Sequence, residues 1–158
     1  MQKKALIIGY GSLIRGDDAA GRRTVELLEQ DPAVSEHCDL CSVHQLLPEH
    51  AGALQHYELV VFIDSSALDA PGEVCIMEIE PVEGRAPADF CNVHGIKPAD
   101  ILKSAVALYG AAPKACLCRI GGAGYDLTDS LSPEVENALV EAAARIRHLI
   151  FPDPGLKN

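Results

Sequence analysis

Residues 58–64 (Glu-Leu-Val-Val-Phe-Ile-Asp) constrain the fold more than any other segment. Five consecutive apolar residues, rich in β-branching, leave no polar face, so a strand here has to be covered on both sides. Sheets of that kind are parallel and lie between helices. An acid at the end of such a strand needs a partner or a use.

The flanking pattern agrees. Residues 4–9 (Lys-Ala-Leu-Ile-Ile-Gly) form a second short apolar strand, and 18–30 follow as a helix. Asp17 and Asp18 sit where a helix N-terminus favours negative charge. A strand over 40–44 and a short helix over 48–56 come next. Residues 73–81 alternate Val74, Ile76, Glu78 and Glu80 with Cys75, Met77 and Ile79. Only about eight residues separate this strand from the one before it, too few for a parallel crossover. That predicts an antiparallel edge strand. The spacing then predicts a helix over 98–109, a strand over 114–121 and a final helix opened by Ser132-Pro133, a cap followed by a first-turn proline. The expected architecture is a three-layer αβα sandwich, with a mostly parallel five-stranded sheet and one antiparallel edge strand. One domain over 1–150 is expected, followed by a flexible tail at 151–158, where two prolines and a glycine leave little regular pairing.

The chain has 158 residues, of which 48% are hydrophobic and 4% aromatic, so its core must be aliphatic and alanine-rich. Twenty-three acidic residues against 13 basic give a net charge of −10, which disfavours nucleic acid and anionic membranes as partners. No apolar run approaches the roughly 18 residues that cross a bilayer. The N-terminus lacks the apolar stretch of a signal peptide, so a cytoplasmic protein is expected. The six cysteines then read as free thiols. With so few aromatics to build an interface, the chain is read as a monomer.

Ligands of such sheets bind beyond the carboxyl ends of the strands. After the first strand comes Gly9-Tyr10-Gly11-Ser12-Leu13-Ile14-Arg15-Gly16-Asp17-Asp18, and after the third Asp64-Ser65-Ser66. Cys91-Asn92-Val93-His94-Gly95 precedes the helix at Pro98. Gly9-x-Gly11 suggests a nucleotide loop, but Ile14 stands where the third glycine belongs, and two aspartates would repel a phosphate. Asp18, Asp64 and His94 offer two hard oxygens and an imidazole, a donor set suited to Zn or Ni with an open water position. On the residues alone a plainer reading stays open: Asp18 as a helix cap, Asp64 as an acid held by backbone donors, His94 as a loop residue. Cys38-x-x-Cys41 and Cys116-x-Cys118 read either as a four-thiolate zinc site or as core thiols, and Cys91 as a bystander. His44, His50 and His56 recur every six residues and share no helical face. Ser65 and Ser66 lack a nucleophile elbow.

Together these segments resemble the hydrogenase maturation endopeptidases, which trim the C-terminal extension from the large subunit of nickel-iron hydrogenases. The resemblance runs over 6–149. Its carriers are Gly9-x-Gly11-Ser12-x-x-x-Gly16-Asp17-Asp18-x-x-Gly21, Val60-Val61-Phe62-Ile63-Asp64, and His94 ahead of Pro98-x-Asp100-Ile101-Leu102. It implies that Asp18, Asp64 and His94 probe a nickel ion already held by the precursor, with Asp17 as a structural or orienting acid. Zinc or another divalent ion can take the same site in isolation. Asp18 stands where many members have Glu, and Ser12 where Asn is usual. His44-Gln45-Leu46-Leu47-Pro48-Glu49 replaces a common Gly-Gly-Thr stretch, which is similar to the branch serving bidirectional, NAD-linked hydrogenases. The peptide bond is broken by metal-assisted water attack or by a carboxylate base, Asp18 or Asp64; the sequence leaves both open. It also leaves two other functions: a non-catalytic nickel-binding chaperone, and a nucleotide-binding enzyme using Gly9-x-Gly11.

Overall fold

A computed structural model describes residues 3–86 and 95–155. Both apolar runs become central strands: β1 (Ala5–Tyr10) and β3 (Leu59–Ser66) pair in parallel, with Ala5 opposite Leu59 and Gly9 opposite Ile63. β2 (Cys38–Val43) lies outside β1, and β5 (Lys114–Gly121) lies outside β3, both parallel. β4 (Val74–Ile79) closes the edge antiparallel to β5. The order β2-β1-β3-β5-β4 gives four parallel strands and the one antiparallel edge that the short connection demanded.

Strand alternation divides the core in two. Ala5, Ile7, Val61, Ile63, Cys118 and Ile120 face α1 (Ala20–Glu29) and α5 (Pro133–Ile150), which pack together on one side. Leu6, Ile8, Val60 and Phe62 face the other side, against α3 (His50–Ala53) and α4 (Pro98–Tyr109). Phe62, Ile63, Val60 and Val61 are all fully buried, so the segment with no polar face is covered on both of them.

Two local features depart from the expected pattern. A short helix, α2 (Pro32–His37), precedes β2; Asp31 caps it by accepting from the Ala33 and Val34 amides. The helix expected from residue 18 opens instead with a tight 3-10 turn, Gly16–Ala19, and α1 proper begins at Ala20. The turn leaves the Asp18 side chain directed back to the Ser12 amide rather than along the helix.

Two glycines set how closely α1 approaches the sheet. A Cβ on Gly9 would stand 2.3 Å from the Gly21 carbonyl oxygen, and one on Gly21 would stand 2.2 Å from that of Ile63. No side chain fits in either direction, so the start of α1 rests on bare backbone of β1 and β3. Gly21→Ala is therefore expected to cost about 3 kcal/mol of stability, since the contacting atoms are main chain and cannot swing aside. Urea denaturation at neutral pH measures this.

Candidate active site

The chain leaves β1 toward one side of the sheet and β2 lies beyond it, whereas β3 lies on the opposite flank of β1. A crevice opens where neighbouring strands send their connections apart, at the carboxyl ends of β1 and β3. A cleft of about 300 Å³ lies there, lined by Tyr10, Gly11, Asp18, His44, Asp64 and Gly95, among others. The structure thus brings Asp18 and Asp64, 46 positions apart in sequence, to one wall. His94 and Cys91 lie outside the described residues; Gly95, Ile96 and Lys97, which follow His94, line the cleft.

The loop that delivers Asp18 is built on Asp17. This carboxylate is buried, and accepts from the amides of Ala123 (2.7 Å), Gly124 (3.1 Å) and Ser132 (2.8 Å) and from the Ser132 hydroxyl (2.8 Å). The same hydroxyl caps α5 by accepting from the Val135 amide. Two backbone hydrogen bonds, Gly16 to Thr128 and Thr128 to Ile14, sew the two loops together beside it. Burial alone would raise the Asp17 carboxyl, but its four donors outweigh burial and hold it below the usual aspartate range. Asp17 is a fastener between the loop after β1 and the loop after β5, and it does not line the cleft.

Asp18, next in sequence, accepts from the Ser12 amide at 2.7 Å and fronts the cleft. Gly11 has φ +140°, and a Cβ there would stand 2.0 Å from the Asp18 carbonyl oxygen. The space that a dinucleotide loop keeps free for a pyrophosphate is filled by the chain's own backbone. The glycines serve packing, and the nucleotide alternative loses its loop.

Asp64 sits near the end of β3 in the opposite electrostatic condition. Burial pushes its carboxyl up to about 6, and the nearby Asp18 charge adds to this. A side-chain hydrogen bond with Tyr10 and one from the Ser65 amide pull it partly back. Burial, followed by the Asp64 and Asp18 charges, drives the Tyr10 phenol far above its ordinary value, so it stays a neutral donor. Sequence reasoning missed Tyr10. It also passed over His44, which stands just past β2 and lines the same wall; the strand-end rule applied to the second strand would have found it.

Arg85 and Asp100 tie the described chain on either side of residues 87–94. The Arg85 amide and guanidinium both donate to the Asp100 carboxylate, which also accepts from the Lys97 amide, and the guanidinium reaches the Gly95 carbonyl at 2.6 Å. The cysteines do not meet. Cys38 and Cys41 lie on β2 and Cys116 and Cys118 on β5, with β1 and β3 between, about 14 Å apart at ordinary strand spacing. They cannot share one zinc ion. The five described thiols are free, and burial pushes Cys118 up to about 12 and raises Cys38, Cys41 and Cys116 as well. These four are core thiols. Among the described residues, no group of three or more His, Cys, Asp or Glu side chains is arranged to hold a metal ion.

No protein-family model matches the chain. It is 27% identical to the hydrogenase 2 maturation protease of Escherichia coli (strain K12), over an alignment covering 91% of each chain. The solved structure of the hydrogenase maturating endopeptidase of E. coli matches with a TM-score of 0.72 at 27% identity, over 94% of this chain and 92% of that one. A hydrogenase 2 maturation peptidase from Thaumarchaeota archaeon SCGC_AB-539-E09 matches with a TM-score of 0.70, over 96% and 100% of the two chains. At 23% identity that likeness speaks for the fold. These likenesses define the class, a hydrolase of the peptidase kind. Within it, the resemblance to the hydrogenase maturation proteases holds in sequence and in fold. The relatives do not single out the NAD-linked branch.

Two variants separate the acids. Asp17→Ala strands four donors and is expected to cost about 3 kcal/mol. The Asp17 carboxyl is depressed in the fold, so its contribution is present above the unfolded-state value and is lost as acid titrates it. Asp64 behaves in reverse, because its carboxyl is raised and ionising it opposes folding. Asp64→Asn is expected to gain stability relative to wild type as pH rises from about 4 to about 6, with a constant difference above that. Denaturation curves from about pH 4 to about 7 test the Asp64 sign, and curves carried below about pH 4 test that of Asp17.

Proposed function

We propose that this protein is an endopeptidase that removes the C-terminal extension from the large-subunit precursor of a nickel-iron hydrogenase once the precursor holds nickel. The observation that carries the reading is the pairing of Asp18 and Asp64 in one cleft at the crevice between β1 and β3. The chain bearing them is similar over nine-tenths of its length to a hydrogenase maturation protease.

Nickel enters as part of the substrate. Asp18, Asp64 and His94 offer it two oxygens and an imidazole nitrogen, and the precursor supplies the remaining ligands. An ion presented in this way polarises the carbonyl or water next to it. Asp64 is the chain's base through the oxygen that does not meet nickel; in the metal-free cleft burial raises its carboxyl above that of an exposed aspartate. It takes a proton from water as the oxygen adds to the scissile carbonyl. Returning that proton to the departing amine completes hydrolysis. A cytoplasmic setting suits the free thiols. No helix of the described residues is long and apolar enough to cross a membrane.

The test is cleavage of the purified precursor in nickel-loaded and nickel-free forms, read as the mass of the large subunit. Trimming of the loaded form alone is expected. Asp64→Ala and His94→Ala should each lower the rate by about a hundredfold or more while melting cooperatively. Complete processing by a well-folded Asp64→Ala variant overturns the reading. Nickel binding with neither form cut points instead to a metal chaperone.

A further inference from the structure

One guanidinium joins the helix α4 to a wall of the cleft. Arg85 donates to the Asp100 carboxylate from its own amide (2.7 Å), from Nε (3.1 Å) and from Nη2. The same Nη2 donates to the Gly95 carbonyl oxygen at 2.6 Å. Asp100 also accepts from the Lys97 amide at 2.8 Å. Gly95, Ile96 and Lys97 line the cleft that holds Asp18 and Asp64.

The base of this arrangement is fixed by packing. Asp100 is buried in the first turn of α4, and Ile101, Leu102 and Ala105 of that helix are fully buried beside the sheet. Gly84 brings the chain in without a side chain: a Cβ there would stand 2.0 Å from the Ala99 carbonyl oxygen. The wall lacks such support at its start. Gly95 is exposed with φ +76°, and no described atom lies within 4 Å of where its Cβ would be. Hydrogen bonds to its backbone are left to set its direction. Capping of α4 needs only the bond from the Lys97 amide to Asp100. The contact with Gly95 is additional to it.

We infer that Arg85 is a positioning residue for the 95–97 wall of the cleft. Its planar fork holds the Gly95 carbonyl against Asp100, so the wall takes its place from α4. Gly95 follows His94 directly in sequence, and the anchor acts one residue from the third group proposed to meet nickel. The consequence for rate rests on the peptidase reading above; the anchoring of Gly95 does not. Lysine in place of Arg85 keeps a positive charge beside Asp100 and loses the planar fork.

The experiment measures Arg85→Lys on the nickel-loaded precursor, with thermal melting alongside. It also records the NMR signals of the Gly95 carbonyl carbon and the Lys97 amide in the full-length protein and in the variant. The expected result is a kcat lower by about 10- to 100-fold with KM within about twofold. Melting should stay within about 3 °C, because the Arg85 side chain is 26% exposed and Asp100 keeps two backbone donors. The Gly95 signal should move while that of Lys97 holds. Unchanged kcat in Arg85→Lys overturns the inference and leaves the peptidase reading standing. Loss of kcat together with a collapse in melting temperature also overturns it, as that marks a structural role. If the wild-type protein cuts neither precursor, the peptidase reading fails and the NMR arm decides alone. A displaced Gly95 signal beside a steady Lys97 signal then supports the anchor; an unmoved Gly95 signal, or displacement of both, overturns it.

Discussion

The rim of this molecule depends on the burial of one negative charge, the Asp17 carboxylate. Four donors converge on it from residues 123, 124 and 132, more than a hundred positions along the chain. A charge in that place is tolerable only while every donor stays in reach, so it specifies how the first and last loops of the sheet sit together. The same knot caps α5 through Ser132 and fixes the tight turn from which Asp18 emerges. Geometry at the cleft is thus inherited from a contact that the cleft does not contain.

Solvation has given the acids of the rim opposite tasks. Asp17, outside the cleft, is saturated with donors and loses its proton readily; Asp64, in the cleft, is short of them and holds its proton longer. Between them Asp18 keeps a single backbone donor and an open side. The backbone contacts of Gly9 and Gly21 support this division, because they bring the start of α1 against β1 and β3 with no side chains between. A strongly apolar strand ending in an acid is costly to build, and here the cost coincides with the place where chemistry is proposed.

Much of the fold was legible because it follows from local rules. The polar-free run at 60–63 demanded two covered faces, and the short connection to 74–79 forced an antiparallel edge. Asp18 and Asp64 were recognisable from their places just past strands. Strand order was not legible, since no local pattern says that β2 lies outside β1 while β3 lies inside. Tyr10 and Asp64 become neighbours only through that order. The same ignorance left the two cysteine pairs as zinc candidates until two intervening strands separated them. The helix at 32–37 was legible in principle, through the Asp31-Pro32 cap, but is barely longer than a turn and lacks an apolar stripe. His44 was passed over because it was tested for helical spacing, when its strand-end position was what mattered.

The contrast between the two titrating aspartates has a further consequence. As acidity increases, the cleft gives up its charge at Asp64 near pH 6, whereas the knot at Asp17 keeps its own until well below that. The working surface and the scaffold thus answer acid separately, the first at Asp64 and the second at Asp17.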